Sequence, residues 1–149
     1  MNTLKFRYHD GGRVDAGYRG EARDCVARAV AIASGSPYKE VYATLAEGNA
    51  SQKVRGTEKR RPKSARNGIV TKSPWFHDYM TKLGFTWYPT MKVGQGCTTK
   101  LNAGDLPSGS LVVKVTKHVA AVIDGRLMDT HDCSRKGTRC VYGYWKKDE

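Results

Sequence analysis

No run of apolar residues in this chain approaches the length that a membrane-spanning helix needs, so no membrane partner is expected. The opening MNTLKFRYHDGGRVD also lacks the apolar core of a secretory signal, and the expectation is a soluble protein that stays in the cytoplasm. Cysteine is sparse: Cys25, Cys97, Cys133 and Cys140 form no CxxC pair, and without a secretory context all four read as reduced thiols. No internal repeat or low-complexity tract divides the chain. Its 149 residues, 39% of them hydrophobic, are enough for one domain with its own core, covering 1–149. Acidic residues are also few. Lys and Arg number 26 against 14 Asp and Glu, a formal net charge of +12, which favours weak, salt-sensitive binding to nucleic acid or acidic proteins without making that the function.

The first 20 residues are polar and carry Gly11, Gly12, Gly17 and Gly20, and they read as an extended arm or loop. Asp24 through Ala33 is nearly continuous in small and apolar residues, which predicts a buried helix beginning at Cys25 with Asp24 as N-cap and Gly35 as its stop. Ser36-Pro37 then opens a second, amphipathic helix carrying Tyr38, Val41, Tyr42 and Leu45. The apolar pattern disappears over about 48–72, where Lys53, Arg55, Lys59, Arg60, Arg61, Lys63 and Arg66 surround the single acid Glu58. This stretch reads as a mobile basic loop, either a polyanion-binding segment or simply a solvated one. Ser73-Pro74 repeats the helix-start pattern, with Trp75, Tyr79, Met80 and Leu83 on one face and Gly84 as the stop. Phe85 to Tyr88 is β-prone, and strands are expected near 110–115, 118–124, 126–130 and 139–145. Helices first and an antiparallel sheet second make an α+β layout. Tyr142, Tyr144 and Trp145, like Trp75, Trp87 and Tyr88, read as core or cleft wall rather than base-stacking groups.

A cysteine in the first turn of a helix meets unpaired N–H groups and the positive end of the helix dipole, both of which favour thiolate. Cys25 is therefore the candidate nucleophile. Its partner is sought in KHVAAVIDGRLMDT, two short strands around an Asp124-Gly125 turn. With a two-residue turn, Ile123 faces Arg126 and His118 faces His131, so Asp129 lies diagonally across from His118 on the same face. A thiol hydrolase needs a base held in one tautomer by a third polar residue, and Cys25, His118 and Asp129 supply those types in that order. A three-residue turn would instead favour His131 as base and Asp124 or Asp132 as orienting acid. Zinc ligation by Cys133, Cys140, His131 and Asp132 has the right donors but a spacing that matches no compact knuckle, and neither metal nor cofactor is expected.

DCVARAVA followed by a polar insertion and then GSLVVKVTKHVAAVIDGRLMDT resembles the Cys-helix and His-strand segments of papain-like cysteine peptidases, the small phage and bacterial members in particular. The resemblance implies a cysteine at the head of the central helix, a histidine on the sheet and an Asp or Asn on the neighbouring strand, which correspond to Cys25, His118 and Asp129. It implies a thiol hydrolase of peptide, isopeptide or related amide bonds, or an acyl transferase with the same parts, acting on a peptide or protein in the cytoplasm, the host's if the chain is phage-encoded. Such peptidases usually carry a Gln a few residues before the cysteine, and Arg19-Gly20-Glu21-Ala22-Arg23-Asp24 has none. The oxyanion donors would then be the Cys25 N–H with Arg19 or Arg23. A catalytically inactive scaffold of the same kind, serving as a basic nucleic-acid- or protein-binding module, is the alternative.

Overall fold

The computed structural model describes residues 3–17, 24–52, 65, 69–91 and 94–148. Three helices and six strands follow in the order β1 (Lys5–Tyr8), α1 (Cys25–Ser34), α2 (Tyr38–Ala50), α3 (Pro74–Lys82), β2 (Phe85–Pro89), β3 (Ser110–Val115), β4 (His118–Ile123), β5 (Arg126–Asp129) and β6 (Gly143–Lys147). The α+β class is as expected from the sequence.

Local chemistry accounts for the helix ends. In α3 the Ser73 hydroxyl accepts the Phe76 N–H at 3.2 Å with Pro74 at the first helical position, the arrangement read from the sequence. Gly35 closes α1 in the left-handed conformation, φ 75°, and donates its N–H to the Ala31 carbonyl. The start of α2 falls one residue later than expected, because Pro37 keeps an extended ψ of 138° and Tyr38 becomes the first helical residue.

The strands form one sheet in the order β1-β5-β4-β3-β6-β2. Asp124 and Gly125 both have positive φ, 47° and 81°, as a two-residue I′ hairpin turn requires, and the register places Ile123 opposite Arg126 and Ala121 opposite Met128. The expected antiparallel sheet is corrected in one respect: β1, in the stretch read as an arm or loop, pairs parallel with β5, so the sheet is mixed. All four β1 side chains are exposed, which is why no burial pattern announced the strand; its backbone ladder and the buried Leu4 hold it. The last strand also begins later than expected. Residues 139–141 are occupied by an antiparallel bridge to the segment at 99–101, with Leu101 N–H on the Arg139 carbonyl at 2.8 Å and Val141 N–H on the Thr99 carbonyl at 2.9 Å.

Alternation along the strands builds a core on each face. Val112, Val119, Ala121 and Trp145 meet the helices through Val30, Leu45, Phe76 and Met80. Leu111, Val113, Val115, Ala120, Val122 and Leu127 meet Leu4, Leu101, Leu106 and Val141 on the other side. Trp145 is buried in the first of these cores, as read. Tyr88 and Tyr142 are exposed, which corrects their assignment to the core, while the Tyr88 and Tyr144 rings stack at 5.4 Å.

Two of the four cysteines are not thiols. Cys97 and Cys140 form a disulfide with Cα atoms 5.8 Å apart, and Cys25 and Cys133 are free. The expectation of four reduced cysteines failed because the bridge between the two segments, separated by 43 positions, is a tertiary event that spacing does not encode. Cysteine usage therefore no longer argues for a reducing compartment. No helix among the described residues is long and apolar enough to cross a membrane.

Candidate functional site

Three elements end at the same place. Cys25 is the first residue of α1, His118 the first of β4 and Asp129 the last of β5. Because β4 and β5 are the two arms of the Asp124-Gly125 hairpin, the end of one arm lies beside the start of the other, and His118 Nε2 meets Asp129 Oδ2 at 2.6 Å. The Cys25 sulfur, half-buried at the helix head, is hydrogen-bonded to the His118 ring and to the Val119 N–H.

The electrostatics act as one unit. Burial would raise the Cys25 thiol, but the hydrogen bond and charge of His118, the Val119 N–H and the nearby Arg28 outweigh it and hold the thiol below its ordinary value. Burial would likewise lower His118, yet its hydrogen bonds to Asp129, Cys133 and Cys25 and the Asp129 charge push it up to about 11. Asp129, only 4% exposed, is pulled below the usual carboxylate range against its own burial by His118, by the Thr130 N–H at 2.7 Å and by Arg28. The three shifts all run toward the charged forms, thiolate, imidazolium and carboxylate.

Asp24 does not cap α1, contrary to expectation: its side chain makes no capping hydrogen bond and is turned into a buried charge cluster instead. One carboxylate oxygen pairs with Arg28 one turn along the helix. The other accepts the Tyr38 hydroxyl and pairs with Arg13 Nε at 3.1 Å. Burial and the Asp24 charge push the Tyr38 hydroxyl above its ordinary range. Arg28 also reaches Asp129, NH2 to Oδ1 at 3.6 Å, so one buried guanidinium ties the cysteine-bearing helix to the strand that carries the acid. Gly11 lies against the same turn of α1: a Cβ there would stand 3.0 Å from the Arg28 carbonyl oxygen, at a φ of +74°.

The other candidates separate from this cluster. Asp124 serves the hairpin end, accepting the Gly109 N–H at 2.7 Å, and Asp132 accepts the Ser134 N–H and hydroxyl within its own loop. His131 is exposed, its ring 5.1 Å from that of His118. Arg19, Arg23, Lys53, Arg55, Lys59, Arg60, Arg61, Lys63 and Arg66 lie outside the described residues.

Sequence reasoning missed Arg28, Asp24, Arg13 and Tyr38 as supports of the site. The i,i+4 spacing of Asp24 and Arg28 was a usable signal for one contact. It groups Cys133 with Cys140, His131 and Asp132, but Cys140 is held in the disulfide, and the Cys133 sulfur, buried at 3% exposure, lies instead with His118 and Asp129 in a group of ligand atoms all within 4.8 Å of one another. These three residues could hold a metal ion. No local motif marks Cys133, because the turn after β5 brings it to the histidine. No family model, curated protein or solved structure matches the chain.

Proposed function

We infer that this chain is a cysteine-dependent hydrolase of peptide, isopeptide or related amide bonds, built on a papain-like arrangement. The observation that carries this reading is His118 standing between the Cys25 sulfur at a helix head and the Asp129 carboxylate at 2.6 Å. The Cys25 thiolate attacks the carbonyl carbon, a C–S bond forms and the oxygen takes up negative charge. The Cys25 N–H and the free N–H groups of the first turn of α1 are the donors at hand for that oxyanion. His118 gives its proton to the leaving amine, the C–N bond breaks, and a thioester remains on Cys25. Neutral His118 then takes a proton from water, whose attack releases the acid and regenerates the thiolate. An amine in place of water makes the same chemistry an acyl transfer. Asp129 keeps Nε2 occupied, which leaves Nδ1 as the ring nitrogen available for these transfers.

The test is alkylation with iodoacetamide at pH 6 followed by peptide mapping, on the wild type and on His118→Ala. With Cys97 and Cys140 in a disulfide, buried Cys133 serves as the internal control. Fast labelling confined to Cys25, and lost with His118, is the expected result and justifies a substrate screen. Slow labelling that does not distinguish Cys25 from Cys133 overturns the reading and favours a basic binding module on the same scaffold.

A further inference from the structure

The hydrolase needs one thiol beside His118, and the structure has two. Cys133 is 97% buried, hydrogen-bonds the same ring and contributes nothing to the reaction described above. Its sulfur, a His118 ring nitrogen and an Asp129 oxygen lie within 4.8 Å of one another. The Cys25 sulfur also reaches the ring but is not part of that group.

The geometry points to a binding site for one soft divalent cation of the Zn2+ type, ligated by Cys133, His118 and Asp129, with the fourth position left to solvent. Zinc takes four such ligands at about 2.0–2.3 Å, so in a tetrahedral shell their donor atoms stand roughly 3.3–3.8 Å apart. The present atoms bracket that spacing: the His118–Asp129 pair at 2.6 Å opens as the ion replaces the proton they share, and the wider separations close by about 1 Å at the tips of side chains. Binding releases that proton and any still carried by the Cys133 sulfur, with no change of oxidation state.

His118 is partly exposed while Cys133 and Asp129 are buried, so an ion enters past the ring and seats on the buried pair. Occupation ties up the base. As a means of switching off the enzyme this rests on the hydrolase reading; as a metal site it does not.

The experiment is titration of the full-length protein, kept under argon, with Zn2+ against a chromophoric chelator, together with the Co2+ absorption spectrum. The expected result is one equivalent bound, with a thiolate-to-cobalt charge-transfer band. Cys133→Ala and Cys133→Ser should both weaken binding by more than the roughly 10- to 100-fold that loss of an outer-shell partner costs. Cys97→Ser/Cys140→Ser, which removes the two disulfide sulfurs, should leave the equivalent bound. Absence of stoichiometric binding, binding indifferent to both Cys133 variants in a protein whose circular dichroism is native, or loss of binding in Cys97→Ser/Cys140→Ser overturns the site. Iodoacetamide labelling with excess chelator keeps the two readings apart: fast Cys25 labelling without zinc binding leaves only the hydrolase, and zinc binding with slow labelling leaves only the metal site.

Discussion

Arg28 stands between the two halves of the site: its guanidinium serves Asp24 at the base of α1 and Asp129 at the end of β5, and its charge helps hold both the Cys25 thiol and the Asp129 carboxyl down. Replacing it with Met keeps the volume and leaves two buried carboxylates short of a counter-charge. Arg28→Met is expected to cost about 3–5 kcal/mol in urea unfolding and to move the pH dependence of Cys25 alkylation upward. Asp129 carries its own pH signature. Its folded value lies below the ordinary 3.8, so it contributes stability that is present above that pH and lost as pH falls through the folded value. Asp129→Asn should therefore flatten the acid limb of a Tm-against-pH curve. On a substrate found by screening, the same variant should lower kcat by roughly 100- to 10,000-fold, because the imidazole loses the partner that sets its tautomer. The pH profile of kcat/KM should be a bell whose acid limb lies below the ordinary thiol value of 9.0, where Cys25 ionises, and whose alkaline limb lies above 6.5, where His118 loses its proton.

Among the elements, the hairpin of β4 and β5 brings His118 and Asp129 together with one turn, and α1 supplies Cys25 as its first residue. Both were legible in the sequence, because Asp124-Gly125 selects the turn and the Ala-rich run selects the helix. The pairing of β6 with β2 was not. Gly143 opens β6 opposite Pro89, and a Cβ there would stand 2.3 Å from a Trp87 ring carbon and 3.0 Å from the Tyr88 carbonyl oxygen. Gly143→Ala should accordingly destabilise the protein by about 1–3 kcal/mol in denaturant unfolding, since the indole is packed against Trp145 and has little room to give. Only the paired partner shows that this glycine makes room for a ring.

For the whole molecule, the net charge of +12 acts independently of the cluster at Cys25, His118 and Asp129. Binding to a mixed-sequence polynucleotide should weaken steeply as salt is raised, with a linear fall of log K against log salt, and Cys25→Ser should leave that slope unchanged. A slope near zero in filter-binding or anisotropy titrations would show that the positive charge is spread too thinly to release counterions. The mixed sheet, with the helices on one face and the segments at 101–106 and 133–141 against the other, gives the chain two cores, each built from one parity of the same strands.

The α+β class, the three helices and the Asp124-Gly125 turn were legible in the sequence itself, as were Cys25, His118 and Asp129 as candidates, because each depends on a local signal: period, cap, turn type or the position of a thiol in a first turn. The register that sets His118 rather than His131 beside Asp129 stays open in the sequence between two turn lengths. The tertiary structure alone decided that β1 joins β5 in parallel, that Cys97 meets Cys140, that Asp24 turns inward to Arg13, Arg28 and Tyr38 rather than capping its helix, and that Cys133 comes to lie against the catalytic candidate His118. Each of these is a contact between distant segments whose gain is realised only after the chain has closed on itself, and residue spacing carries no record of it.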